Sequence, residues 1–267
     1  MPIVIIGDAF NNVLTAGSAA DHNIFGLGGN DTLTGSGGND LLDGGTGNDT
    51  MTGGGGSDVY RVDSVGDIVN EFGGGTDRVE ASISYSLAAT PFVENLTLTG
   101  TAAINGTGNG LDNVIAGNIG ANLLSGLDGA DTLLGGAGND TAMGGTGMDL
   151  LTGGQGTDTL TGGADSDRFD FNSLDGSVDT VTDFSSAAPG MGGDVLDLAD
   201  LLTGFDPMTS MIDAFVRYTQ QGNDTRVQVN ADGVGMDFVD VALLQGVMGV
   251  SASQALANGN LDVTPDV

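Results

Sequence analysis

From Gly26 the chain repeats one nine-residue pattern of polar and apolar positions. GLGGNDTLT, GSGGNDLLD, GGTGNDTMT and GGGGSDVYR follow one another without a slip to Arg61. A second series opens with the degenerate copies GNGLDNVIA and GNIGANLLS. It continues as GLDGADTLL, GGAGNDTAM, GGTGMDLLT, GGQGTDTLT and GGADSDRFD, ending at Asp170. Glycine holds the first position and usually the fourth, aspartate the sixth, and usually a large apolar residue the eighth. The leading residues predict a tight turn, because glycine accepts positive φ and lets another backbone approach where a Cβ would obstruct it. The last residues predict a short strand whose alternation sends the eighth side chain to one face. By that rule Leu33, Leu42, Met51 and Tyr60 line one core, and Ile115, Leu124, Leu133, Leu151, Leu160 and Phe169 another. A single nonapeptide cannot bury a face alone, so a pair is expected to make one coil, with odd and even strands in facing parallel sheets. The expected fold is all-β, a right-handed parallel β-roll or β-solenoid.

The pattern divides the chain into four segments. Residues 1–61 hold an N-terminal strand and the first array, 62–107 a spacer, 108–170 the second array, and 171–267 a small C-terminal capping domain. The spacer alternates like strands at Asp67–Glu71, Arg78–Leu87 and Asn95–Thr99, which predicts continued solenoid with longer coils. In the last segment DVLDLADLL and FVRYTQQGNDTRVQV suggest a helix and strands packed over the final coil. At the other end Pro2-Ile3-Val4-Ile5-Ile6 is a bare β-prone run with no cover. An open start and a differently shaped finish predict head-to-tail association of identical chains, unless residues 2–6 fold back on their own first coil.

Charge sharpens the reading. The chain has 36 acidic residues against 5 basic ones, a net charge of −31. All but Glu71, Glu80 and Glu94 of the acids are aspartate, and every basic residue is arginine. Such a surface is not made of charged amphipathic helices. Nothing here neutralises a run of phosphates, so nucleic acid is not an expected partner. There is no cysteine and one histidine, His22, which excludes thiolate chemistry and zinc-protease motifs. No stretch approaches the ~20 apolar residues of a membrane span. MPIVIIGDAF lacks a basic n-region, so export by an N-terminal leader is not expected.

The candidate site is the in-phase aspartates: Asp31, Asp40, Asp49 and Asp58, then Asp131, Asp140, Asp149, Asp158 and Asp167. With them go the first-position glycines Gly26, Gly35, Gly44, Gly53, Gly126, Gly135, Gly144, Gly153 and Gly162. Turns separated by a full coil stack at the strand spacing, about 4.7–4.9 Å. Oxygens on opposite sides of a calcium ion lie about 4.6–5.2 Å apart. The lengths agree, and stacked carboxylates in a chain this poor in arginine need neutralising. Pairing turn n with turn n+2 allows about two ions in the first array and about three in the second. The degenerate turns at Asn12, His22, Asn113 and Asn122 are expected to be metal-free, with His22 at the surface. Asp170, Asp179 and Asp183 are weighed as ligands of a further ion against a solvated acidic face.

The motif GGxGxDxUx, with U large and apolar, resembles the repeats-in-toxin (RTX) family of calcium-binding β-rolls. The spacer DVYRVDSVGDIVNEF…VENLTLTG is similar to the linkers that join such arrays. DRFDFNSLDGSVDTVTDF…DVLDLADLL resembles the C-terminal target domain of type I secretion substrates, chiefly at Asp179–Phe184 and Asp194–Leu202. That resemblance implies an uncleaved C-terminal export signal, a type I secretion apparatus as partner and an extracellular, cell-surface location. Paired carboxylates alone can hydrolyse glycosides, but these aspartates are expected in solvent-facing turns, and the segments leave no room for a catalytic domain. The expected role is therefore not enzymatic. It is a secreted calcium-binding structural protein that folds outside the cell and self-assembles into a layer, matrix or filament. The alternative is a soluble monomeric binding module, an adhesin or accessory factor.

Overall fold

The computed structural model describes residues 1–206 and 209–264. Repeats pair at one full coil, so that Leu33 lies beside Met51, Leu42 beside Tyr60, and Leu133 beside Leu151. The result is a parallel β-roll with facing walls. One wall is a continuous twelve-stranded parallel sheet. It starts at Ile3–Ile6, runs through both arrays and ends with Arg168–Asp170, Val195–Asp197 and Leu261–Asp262. The opposite wall is in two pieces. Four strands run from Val13–Thr15 to Ile68–Asn70, and a nine-stranded sheet starts at Tyr85–Ser86.

The spacer is solenoid, as its alternation predicts. Arg78–Ala81 and Asn95–Leu98 continue the first wall, with Tyr60 beside Val79, Val79 beside Leu96, and Leu96 beside Ile115. The eighth-position residues named from the pattern are all fully buried, as are Val79 and Leu96. The expectation of separate cores fails: these residues join one hydrophobic cluster along the roll, because the spacer supplies apolar side chains in the same column.

Beyond Asp170 the walls carry on. Asp179–Val181 pairs with Thr159–Ala164, and Val239–Leu244 adds to it in parallel. The hairpin Val216–Gln221/Asp224–Val229 then closes that sheet antiparallel. The stretch DVLDLADLL does not form the expected helix. It is the strand Val195–Asp197 followed by a 3-10 turn at Ala199–Leu201, since its leucines extend the first wall. The α-helix is Ala252–Asn258, with Ser251 capping the Gln254 N–H and Gly259 leaving it at φ 84°. No helix among the described residues is long and apolar enough to cross a membrane.

Candidate metal centre

Stacking at one coil turns the sixth positions into columns. In the first array one column is Asn12, Asp31, Asp49 and Asp67, and the other His22, Asp40, Asp58 and Asp77. In the second they are Asn113, Asp131, Asp149, Asp167 and Asp194, and Asn122, Asp140, Asp158 and Asp179. Within every column each aspartate Oδ1 accepts the backbone N–H of the residue one coil earlier, at 2.6–3.0 Å. A turn amide that has no strand partner is thereby satisfied.

The second carboxylate oxygen is the informative one. Oδ2 of Asp31, Asp40, Asp49, Asp58, Asp131, Asp140, Asp149, Asp158 and Asp167 is buried without a hydrogen-bond partner. These are the nine aspartates picked out by the repeat, and none is more than 2% exposed. They were expected in solvent-facing turns; stacking above and below buries them instead. Each Oδ2 faces the first-position glycine of its own turn. A Cβ on any of Gly26, Gly35, Gly44, Gly53, Gly126, Gly144, Gly153 or Gly162 would overlap it, and one on Gly135 would lie 2.6 Å from it. At Gly26, Gly126 and Gly144 that same point is 2.5, 2.7 and 2.6 Å from the carbonyl oxygen of the glycine one coil on. The cradle is lined by oxygen and kept open by the absence of a side chain. Buried anionic oxygens left unpartnered are costly, and a hard divalent cation is what such a donor set takes. The residues present fit calcium.

Burial acts on the carboxyls accordingly. Loss of water pushes Asp49, Asp131 and Asp140 up to about 6 and Asp58 and Asp167 up to about 7, against the pull of the accepted amide. Asp149 and Asp158 move the same way for the same reason. Neighbouring carboxylates add to the rise, as Asp40 and Asp77 do at Asp58.

The degenerate turns are self-satisfied. Asn113 Oδ1 accepts the Asn109 N–H while its Nδ2 donates to Glu94 O, and Asn122 bonds Asn118 N–H and Ile104 O in the same way. Asn12 likewise closes on Asp8. His22 corrects the expectation of a surface turn. It is 1% exposed and opens the strand His22–Phe25. Its amide and Nδ1 lie 2.6 and 3.1 Å from Asp40 Oδ1, because it stands one coil before that aspartate. The repeat pattern missed Asp67, Asp77 and Asp194, which end columns as does Asp179, weighed from the sequence as a ligand of a further ion. Asp67 had a signal: it falls in phase after Asp58, with Val69 at the eighth position of VDSVGDIVN. The others follow coils of 19, 21 and 27 residues. Asp194 Oδ2 accepts the Ser185 N–H, Asp183 accepts the Gly162 and Gly163 amides, and Asp170 the Thr152 hydroxyl.

The RTX calcium-binding nonapeptide repeat family matches residues 4–22, 25–60, 107–142 and 143–176. Among solved structures, two subunits of the Azotobacter vinelandii mannuronan C5-epimerase are similar. AlgE6R2 is 26% identical over 63% of this chain and 98% of its own, with a TM-score of 0.24. AlgE6R3 is 26% identical over 62% and 81%, with a TM-score of 0.22. A comparison with curated proteins found no match. In-phase aspartates, glycine cradles, a parallel β-roll and the four matched segments agree, and the chain is an RTX calcium-binding repeat protein.

Proposed function

We propose that this chain is a non-catalytic structural module that calcium switches from an extended, exportable polymer to a rigid roll outside the cell. RTX repeat proteins are typically secreted, and the single observation behind the switch is the set of buried, partnerless Oδ2 atoms. Extracellular calcium modules bind with Kd around 10⁻⁴–10⁻³ M. At roughly 2 mM calcium and the tight end of that range, each site contributes about 1.8 kcal/mol by mass action. About five sites contribute about 9 kcal/mol, the size of a typical domain's whole net stability of roughly 5–15 kcal/mol. In a cytosol almost free of calcium that contribution vanishes, and a chain of net charge −31 repels itself. Residues beyond Asp170, similar in motif to a type I target domain, would present the export signal. Circular dichroism decides the switch: strong β-sheet signal in millimolar calcium and its loss in chelator are expected, and full signal in chelator contradicts the reading.

We propose further that the module associates end to end. The first strands of both walls have a neighbour on one side only. Ile3, Val4, Ile6, Phe10 and Val13 are all exposed there. Unpaired strand edges carrying apolar side chains invite a second copy. The other end offers the two-residue strand Leu261–Asp262 and the polar hairpin edge Val216–Gln221. The alternative is a monomer, which the pairing of Ile3–Ile6 with His22–Phe25 of its own first coil favours. Electron microscopy in calcium separates these readings, with filaments or sheets expected for association. Assembly unchanged by deletion of residues 2–6 rules out this junction.

A further inference from the structure

The first array does not end as it runs. One coil after Gly53, where the repeat would bring another first-position glycine, the chain places Glu71, one of only three glutamates. Met51 and Thr52 pair with Val69 and Asn70, so Glu71 follows in the glycine column. Its side chain turns inward and is 4% exposed. Glu71, Asp58 and Asp77 each offer a carboxylate oxygen, all within 4.8 Å of one another, and Asp58 and Asp77 are each 1% exposed.

The hydrogen bonds fix how each carboxyl is held. Glu71 Oε1 accepts the Phe72 and Gly73 N–H groups at 2.7 and 2.6 Å, and Oε2 accepts the Tyr60 hydroxyl. The phenol oxygen is held in turn by the Gly53 N–H at 2.9 Å. Asp77 Oδ1 accepts the Asp58 N–H at 2.7 Å. Asp58 Oδ1 accepts the Asp40 N–H, leaving Asp58 Oδ2 buried and partnerless; a Cβ on Gly53 would overlap both that oxygen and the Tyr60 hydroxyl that Glu71 holds. Among the described residues all five arginines are engaged elsewhere. Arg61 and Arg78 bond Asp43 and Glu80, Arg168 bonds Asp197 and Asp262, Arg226 bonds Asp240, and Arg217 bonds Gln228. No protein cation balances the three carboxyls.

We propose that Asp58, Glu71 and Asp77 form a discrete calcium site that closes the first array, built from side-chain carboxylates where the interior turns use glycine carbonyls. Oxygens bridged by one calcium ion lie up to about 5 Å apart, which the 4.8 Å limit satisfies. The donors are all hard oxygens, with no nitrogen or sulfur to favour zinc or copper. The site shares Asp58 with the stacked turns but draws its other ligands from outside the repeat. It accounts for a glutamate standing where a glycine would continue the array, and for Tyr60 being the one tyrosine among the eighth-position residues.

The test is a calcium-bound crystal of the full chain read by anomalous scattering. A peak among Asp58, Glu71 and Asp77 is expected. Peaks at the stacked turns but none at the cluster overturn this site and leave the turn sites standing. No peak at either place overturns both. Equilibrium dialysis with calcium gives an independent count: Glu71→Gln and Asp77→Asn should each bind one ion fewer than the parent while the second array keeps its own. An unchanged count in a variant that retains its β-sheet signal also overturns the site.

Discussion

The carboxylate's two oxygens do different work, and substitutions separate them. Asp149 lends Oδ1 to the Asp131 amide and points Oδ2 into the cradle below Gly144. Asp149→Ala therefore removes a buried amide's acceptor and the only anionic donor of its turn. A calcium titration should show lost affinity, and an unfolding curve a destabilisation of about 1–3 kcal/mol. Gly144→Ala attacks the same cradle without touching charge. Its Cβ would overlap Asp149 Oδ2 and lie 2.6 Å from Gly162 O, so weaker calcium binding is expected at about 1–3 kcal/mol of strain. Gly110→Ala is the control: nothing lies within 4 Å of the added carbon, and its stability should stay within about 0.5 kcal/mol of the parent. His22→Ala should cost about 1–2 kcal/mol by opening a buried gap beside Asp40, whereas His22→Asn should be milder. Asparagine already stands at the other column ends, Asn12, Asn113 and Asn122. The aspartate columns were legible in the sequence because position six never slips within an array. Their burial was not, since a turn aspartate looks solvated until the turns above and below it are stacked. His22 was misplaced for the same reason: its partner Asp40 is a full coil away.

Strands carried the clearest signal. The eighth-position ladder marked every core residue it named, and the spacer's alternation fell on real strands at Ile68–Asn70, Arg78–Ala81 and Asn95–Leu98. What the pattern could not show was continuity. A longer coil changes only its peripheral turn, so Val79 and Leu96 still arrive in the same column as Tyr60 and Ile115. The terminal segment was least legible, because DVLDLADLL has the leucine spacing of a short helix and the burial of a strand. One shared core predicts shared unfolding. Leu96→Ala, in the spacer, should cost about 2–5 kcal/mol. Differential scanning calorimetry in calcium should show both arrays melting together at a lower temperature. Separate transitions for the arrays would contradict the single cluster.

For the whole molecule, burial of so many carboxyls ties the calcium-free fold to pH. Asp49, Asp131 and Asp140 sit at about 6 and Asp58 and Asp167 at about 7 when folded, against 3.8 when solvated. Between those values the native state binds more protons than the unfolded one, so native stability falls as pH rises from about 4 to about 7. Acid should thus stand in for calcium. In chelator, β-sheet circular dichroism should be recovered as the pH is lowered from ~8 to ~5. With calcium present, protons compete for the same oxygens, and the calcium midpoint should rise as the pH falls. A chelated chain that stays unfolded at acid pH would show that neutralising these carboxyls is not what folding requires.

The divided wall has a mechanical consequence. One face is an unbroken twelve-stranded ladder, while the opposite face is interrupted between Ile68–Asn70 and Tyr85–Ser86. A rod with one continuous flange and one notched flange does not flex equally in all directions. Bending that opens the notch stretches no backbone hydrogen bond there, whereas bending the other way must compress or tear a ladder. Compliance should concentrate at the spacer and in one plane, so that a string of such rods would curve toward a preferred side.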